Sequence, residues 1–446
     1  MIIDENLIKD GVSVQLLAQL IEKHSRCIQR YDKLWNCYIG KHEILNRTKK
    51  SKGAANNRIV VNHAKYIVDM AHSYLVGNPV TYTSSEDYDI EPLKNEYFEQ
   101  DIASVDSEIV KQAGIFGHTY ELIYANEQSK PRSAVINPKS AFVCYSQTVE
   151  KRPLFGVHYY RKYNIDGSCT GVVCNVYDSK CIRTYESEKD DFNGLELREE
   201  QPHYFGIVPL IEHRNNEEEQ GEFEQNINAI EAYNLIMSDR VNDKEQFVNA
   251  FLFLSGLEID SEQAKDLKEE RILMGEIGSD AKYLHKIMNE ADIKVLRDDL
   301  KEDIYQTSLT PDLADDAFGS NLSGVAIRYK ILGFEQKTKN KQRIFSKSFR
   351  MRFEAYNNFL VTLNKMTVVP SHRVDIIFTY NLPANELEIS QMISNLKDMA
   401  SNETLLGRLP FVTDAKEEAK LAQKEKDKSY KKRIEEIEEM AQGGGY

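Results

Sequence analysis

The sequence lacks the residue patterns by which many hydrolases and metalloenzymes are recognised. Its ten histidines form neither an H-x-x-x-H nor an H-E-x-x-H pair, and it contains no G-x-S-x-G turn. These absences leave no metal cage and no nucleophile elbow. The acidic pairs Asp298-Asp299 and Asp315-Asp316 have the ligand chemistry of a nuclease metal site, but we interpret both as solvated surface. We therefore expect no catalytic residue, no cofactor and no metal.

Cysteines and long apolar runs are also scarce. The six cysteines include no C-x-x-C pair, and the irregular gaps between Cys169, Cys174 and Cys181 favour buried or half-buried thiols over zinc ligands. No apolar run approaches the roughly 20 residues that cross a bilayer, and the first residues carry acids where a secretory signal has bases. We expect a protein that is made in and works from the cytosol, with reduced cysteines and no membrane partner.

Positive charge is in deficit. The chain has 57 Lys and Arg against 71 Asp and Glu, which gives a formal net charge of -14. This balance disfavours a protein that grips nucleic acid through its overall electrostatic field. The 446 residues, 41% of them hydrophobic, are enough for about two to four domains with real cores.

One glycine-rich stretch resembles a phosphate-binding loop in spacing alone. Residues 315–334 read DDAFGSNLSGVAIRYKILGF, with Gly319 and Gly324 separated by four residues. A phosphate-binding loop then needs a Lys and a Ser or Thr, but Val325 and Ala326 stand in those positions. We interpret the stretch as a turn and helix cap that precedes a helix.

The periodicity of apolar residues predicts an α+β protein that is mostly helical. Residues 5–45 have the spacing of two helices, and short strands with turn signals follow one another from 132 to 214. Long helices are predicted at 225–249, at about 291–306 and from about 323 to 364, the last with Gly333 as a candidate bend. A strand at 374–380 and further helices to about Met440 complete the chain.

The third long helix carries an unusual excess of positive charge. Between Arg328 and Arg352 it has nine Lys or Arg and one acid, Glu335. Such a run can be a solvated helix face, but like charges at this density repel unless acids or phosphates lie opposite. We therefore take six of these cations as candidates for phosphate or inter-subunit contacts: Arg328, Lys330, Lys337, Lys339, Lys341 and Arg343.

Five segments in order resemble the portal proteins of tailed bacteriophages. They are NRIVVNHAKYIVDMAHSYLVGNPVTY, GIFGHTYELIYAN, GIVPLIEHRNNEEEQGEFEQNINAIEAYNLIMSDRVNDKEQFVNAFLFLSG, SGVAIRYK and NETLLGRLPFVTDAKEE. The resemblance extends from about residue 25 to about residue 430. It implies a dodecameric ring at one capsid vertex, in the virion, with double-stranded DNA passing through a central channel without sequence specificity.

The resemblance also implies a portal-type division of the chain into a stem, a clip, a wing and a crown. We expect the wing in 1–224, stem helices in 225–249 and 289–306, the clip in 250–288, a tunnel loop in 307–323, the kinked long helix with the C-terminal part of the wing in 324–385, and the crown in 386–446. In this family the tunnel loop projects towards DNA at the narrowest part of the channel. We therefore expect DNA-channel residues at Asp312, Asp315, Asp316, Ser320, Asn321 and Ser323.

The implied partners are other chains of the same particle. They are further copies of this chain, the large subunit of the terminase motor, a head-completion or adaptor protein, and the major capsid and scaffolding proteins. Assembly would take place in the host bacterial cytoplasm. Two other interpretations remain: a different head-tail connector or structural head protein and, with less support because no phosphate-binding Lys is found, an ATP-dependent packaging enzyme.

Overall fold

The computed structural model describes most of the chain. The described residues are 1–9, 11–48, 55–84, 88–248, 251–255, 280–284, 290–313, 324–380, 386–397, 399–407, 409, 412 and 415–442. They form two compact units. The large unit contains Met1–Tyr38, Ala64–Gln225 and Ser308–Tyr446, and the small unit contains Ile39–His63 and Asn226–Thr307.

The described helices vary from one turn to almost forty residues. They are α1 Val14–Tyr38, α2 His63–Val76, α3 Glu91–Glu99, α4 Ile102–Phe116, α5 Ile227–Val248, α6 Glu290–Ser308, α7 Gly324–Thr362, α8 Glu386–Leu396, α9 Asn402–Leu406 and α10 Ala415–Gln442. Within the described residues, none of these helices is long and apolar enough to cross a membrane.

The described strands are short and mostly antiparallel. They are β1 Ile2–Ile3, β2 Thr81–Ser84, β3 His118–Ala125, β4 Pro131–Ile136, β5 Ala141–Ser146, β6 Pro153–Tyr163, β7 Cys169–Tyr177, β8 Cys181–Ser187, β9 Glu196–Pro202, β10 Leu210–Arg214, β11 Phe251–Ser255, β12 Asp280–Leu284 and β13 Val374–Ile377.

Three sheets belong to the large unit. One has six strands in the order β1-β5-β6-β7-β8-β9, all antiparallel except that β1 runs parallel to β5. The others are β10-β3-β4 and the pair β13-β2. The hairpin between β6 and β7 turns at Gly167, which has a φ of 84°, a left-handed value that costs glycine little. The small unit contains the antiparallel pair β11-β12.

Two large hydrophobic cores lie within the described residues of the large unit. In the first, Phe345, Phe349 and Phe353 of α7 are fully buried and recur every four residues, so they lie on one helix face against α2, α3 and α4. In the second, Leu17 and Leu20 of α1 pack against the six-stranded sheet. Burying each aromatic ring contributes about 2 kcal/mol before the entropy of ordering is counted.

The sequence predicted the class of fold and most of the long helices. The mixture of helices with antiparallel sheets is confirmed, and α5, α6 and α7 begin and end within about three residues of the predicted bounds. The two helices predicted in 5–45 are a correction, because one helix, α1, runs unbroken from Val14 to Tyr38 between two short 3-10 turns. The long helix α7 also continues across Gly333.

Candidate functional site

The small unit is built on two antiparallel helices. At one end, Asn226, which immediately precedes α5, donates from Nδ2 to the carbonyl of Ile304 at 3.3 Å and accepts a hydrogen bond from Thr307 Oγ1 at 2.6 Å. At the other end, Lys244 Nζ lies 3.4 Å from a carboxylate oxygen of Glu290. The start of α5 therefore meets the end of α6, and the end of α5 meets the start of α6. At 22 residues, α5 is about 33 Å long.

A β pair connects the far ends of these two helices. Strand β11 begins three residues after α5 ends, and β12 ends six residues before α6 begins. The register runs from Phe251 opposite Leu284 to Ser255 opposite Asp280. Residues 256–279, which make up most of the predicted clip, lie outside the described residues. The division into stem and clip stays a prediction, although the order of elements fits it.

An extended segment of the same unit lies along α5, a contact that no sequence pattern predicted. We call residues 55–62 the strap. Its backbone N-H groups donate to polar side chains of α5 as follows: Asn57 to Asn242 Oδ1 at 2.6 Å, Ile59 to Ser238 Oγ at 2.9 Å and Val61 to Asn234 Oδ1 at 2.8 Å. The three acceptors recur every four residues, so one buried face of α5 takes the place of a neighbouring strand.

The predicted tunnel loop is described only at its beginning. Asp312 lies in that part and is half-buried. The other five residues predicted to face DNA, Asp315, Asp316, Ser320, Asn321 and Ser323, lie outside the described residues. Their grouping near DNA therefore stays a prediction.

The predicted set of cations on α7 divides into two groups. Lys330, Lys339 and Arg343 are exposed, whereas the side chain of Arg328 lies outside the described residues. Lys337 and Lys341 instead form ion pairs with the two carboxylate oxygens of Glu222, which is buried in the same unit. This is a correction, since both ammonium groups have a partner within the chain and are not available to a phosphate or to a neighbouring subunit.

Burial changes the acid-base behaviour of these two lysines. It lowers the pKa of Lys337 to about 8 and the pKa of Lys341 to about 7. The cause is the cost of keeping an ammonium group away from water.

The last cation of the basic run, Arg352, is fully buried in the large unit. Its Nε donates to Glu121 at 2.7 Å and its Nη1 donates to Asp106 at 2.5 Å. Glu121 also forms a hydrogen bond with Nε2 of His213 at 2.9 Å. The other ring nitrogen of His213, Nδ1, lies 2.8 Å from Oγ of Ser348. The positive charge of Arg352 is therefore paired with Asp106 and Glu121 of the same chain.

The buried acids around Arg352 have opposite pKa shifts. Burial raises the pKa of Asp106 to about 6, although the guanidinium of Arg352 opposes the rise. Burial also disfavours the ionised form of Glu121, but Arg352 and His213 outweigh it and lower the pKa of Glu121 to about 2. At neutral pH both carboxylates are therefore ionised and depend on Arg352 for charge compensation.

A second, partly buried cluster contains residue types that bind metals. His118, Glu212 and Glu219 bring their ligand atoms close together, with Nδ1 of His118 2.9 Å from Glu212 and 3.9 Å from Glu219. The guanidinium of Arg214 already bridges the two carboxylates, at 2.8 Å and 3.2 Å. Tyr31 contacts the other ring nitrogen of His118. The cluster therefore has its own cation, and we interpret it as structural.

The family model and the relatives that match this chain all belong to the same family. The model of the family described as phage portal protein, SPP1 Gp6-like, matches residues 17–432. A portal protein of Bacillus phage SPP1 is 25% identical over 382 residues, which cover 81% of this chain and 75% of the relative. A portal protein of Clostridium phage phiCD119 is 22% identical over 417 residues, which cover 87% of this chain and 91% of the relative.

Among solved structures, chains from two particles match at 12% identity. They come from the virion of a native gene transfer agent particle, with a TM-score of 0.43, and from the neck of an empty gene transfer agent particle, with a TM-score of 0.40. Each match covers 76% of this chain and 87% of the other.

Proposed function

Because the chain belongs to the family of phage portal proteins of the SPP1 Gp6-like type, we propose that about twelve copies form a ring at one vertex of a phage capsid. Double-stranded DNA enters and leaves the capsid through the centre of this ring. The observation that carries the proposal is the family match, which spans residues 17–432 and so includes most of both units. The ring is a component of the virion and assembles in the bacterial cytoplasm.

The small unit supplies the stem and the clip of this ring. Its antiparallel helices α5 and α6 are the stem, and the residues between them, 250–288, are the clip. Two helices, α5 about 33 Å long and α6 about 28 Å long, suit the wall of a channel, since a rigid helix spans such a length without support from a large core of its own. The wing lies in 1–224 together with 324–385, and the crown in 386–446.

The chemistry of the tunnel loop suits DNA that slides. A wall rich in lysine would hold phosphates with high affinity, because each neutralised phosphate releases a counterion. Asp312, Asp315 and Asp316 instead repel the DNA backbone, while Ser320, Asn321 and Ser323 offer weak hydrogen bonds that exchange quickly. The exposed cations of α7, Lys330, Lys339 and Arg343, and with them Arg328, are the remaining candidates for contacts with phosphate or with the next subunit.

The work of packaging is done by another chain. No phosphate-binding Lys accompanies the two glycines at 319 and 324, so we infer that this protein does not hydrolyse ATP. The large subunit of the terminase docks on the clip, and a head-completion or adaptor protein later takes the same surface. The major capsid and scaffolding proteins surround the ring.

Neutralising the tunnel-loop acids tests the proposed channel. Replacing Asp312, Asp315 and Asp316 by Asn is expected to slow packaging by several-fold or to leave DNA stuck in the ring, because the loop then attracts phosphate more strongly. The measurement is the length of DNA protected from nuclease as packaging proceeds.

A variant with the same change of charge elsewhere is the control. Strand β9 is exposed along its whole length, so replacing Glu196, Glu199 and Glu200 by Gln removes three negative charges without touching the loop. Packaging at the normal rate by the control and slow packaging by the loop variant would support the proposal. Normal packaging by both would contradict it.

A further inference from the structure

The ion pairs of Glu222 lie next to Ser308 in the large unit. Lys337 and Lys341 are one helical turn apart and therefore share a face of α7. Nζ of Lys337 lies 2.7 Å from one carboxylate oxygen of Glu222, and Lys341 contacts the other oxygen. The side chain of Glu222 is only 1% exposed, so these lysines meet it in a site that is almost dry.

The backbone fixes the position of Glu222. Its N-H group donates to the carbonyl of Gly114 at 2.7 Å, near the end of α4. The preceding residue is Gly221, where a Cβ atom would lie 2.5 Å from the carbonyl oxygen of Ile115, so only glycine allows the chain to approach α4 this closely. The backbone at Glu222 is therefore held close to α4.

Lys337 connects Glu222 to Ser308 within the large unit. The same ammonium group donates to the carbonyl of Ser308, the last residue of α6, at 2.7 Å. The last carbonyls of a helix have no partner within the helix, and a cation at this end is favourable. The next residue, Leu309, packs against Gly333 of α7, where an added Cβ would lie 3.4 Å from Leu309 Cδ2.

Tyr66 of α2 holds the following residues from another helix. Its hydroxyl donates to the carbonyl of Pro311 at 2.9 Å and accepts from the N-H group of Leu313 at 3.4 Å. Ser308 and Thr310 are buried, whereas Leu309 and Leu313 are about half exposed. Residues 308–313, which we call the loop base, are therefore bonded to α7 through Lys337 and to α2 through Tyr66.

We propose that Glu222 and Lys337 form a latch that sets the path of the loop base, with Lys341 as a second amino group that contacts the carboxylate of Glu222. Lys337 is thus a positioning residue for the segment that follows. The consequence of the latch for DNA rests on the proposed function, because the predicted tunnel loop begins at this base. The latch itself is a property of the fold.

Hydrogen exchange of the loop base tests the latch. In Lys337→Met, the amides of 309, 310, 312 and 313 are expected to exchange at least about tenfold faster, because a hydrogen bond from a charged donor is lost beside a buried carboxylate. Lys337→Arg keeps a cation and is expected to restore most of the protection. Lys339→Met, two residues away on the exposed face of α7, is the matched control and should exchange like the unmodified protein.

Three outcomes decide the proposal. Faster exchange in Lys337→Met and Glu222→Gln, together with unchanged exchange of the α7 core around Phe349, would support a local latch. Unchanged exchange of the loop base in both variants would overturn it. Equally faster exchange in the α7 core would also overturn it, because the cluster would then only stabilise the fold.

Packaging by the same variants separates the latch from the proposed function. If the unmodified ring packages DNA, Lys337→Met is expected to package more slowly and Lys337→Arg to recover. Normal packaging by Lys337→Met, despite faster exchange at the loop base, would overturn the link between the latch and DNA. If the unmodified ring does not package DNA, the proposed function fails, and the exchange measurements still decide on the latch.

Discussion

At the scale of single residues, Arg352 shows that a cation in a basic run can have a structural role. The residue belongs to a run of nine cations, yet it is fully buried and holds Asp106 and Glu121 together. These acids come from α4 and β3, so Arg352 joins a helix and a sheet to α7. A buried charge pair of this kind stabilises little relative to an apolar core, but the loss of one member is costly.

Removal of Arg352 is therefore expected to destabilise the large unit. Arg352→Met leaves two buried carboxylates without a cation and should lower the free energy of unfolding by about 3–5 kcal/mol. Denaturant unfolding of the large unit, followed by circular dichroism, measures this change. Arg350→Met, an exposed arginine on the same helix, is the control and should change the stability by less than about 0.5 kcal/mol. A similar small loss in Arg352→Met would show that the ion pairs do not hold α7.

At the scale of elements, the strap depends on side chains of α5 in place of a sheet. Three backbone N-H groups of residues 55–62 bond to Asn234, Ser238 and Asn242, all of which are buried. Each such bond contributes about 1 kcal/mol, so the three backbone bonds together contribute roughly 3 kcal/mol to holding the strap on α5. We expect it to open more easily than the helix beneath it.

Shortening these side chains is expected to release the strap. In Asn234→Ala with Asn242→Ala, amides 57 and 61 should exchange about tenfold faster or more, because two acceptors are lost, while α5 remains helical. Hydrogen exchange of peptides that cover 55–62 is the measurement. Asn228→Ala, at an exposed position of the same helix, should have no effect. Unchanged exchange in the double variant would mean that packing, not hydrogen bonds, holds the strap.

Elements with a strong period were predictable from the sequence, whereas contacts between distant elements were not. The spacing of apolar residues predicted a helix at 225–249 where α5 lies, and the turn signals between 132 and 214 predicted the short strands found there. The excess of cations in α7 is evident from the sequence. Their partners are not, because Glu222 lies more than a hundred residues away and the acids around Arg352 are also distant in sequence. The strap was not predicted because an extended segment that lies on a helix has no characteristic spacing of apolar residues.

At the scale of the whole molecule, the account requires many copies of the chain. A stem of two helices encloses no channel by itself, and a closed channel follows only when copies repeat around an axis. A net charge of -14 also suits a ring whose outer surface should not bind nucleic acid while its centre lets DNA pass. The division of the described chain into two units is compatible with a separate stem in each subunit.

The mass and shape of the assembled protein show whether its copies form a closed ring. Native mass spectrometry, combined with negative-stain microscopy at low and moderate salt, measures both for the purified 51.4 kDa chain. The account predicts closed rings of about twelve subunits with an open centre. A protein that stays a compact monomer in both salts, or particles of fixed mass without a central opening, would contradict it.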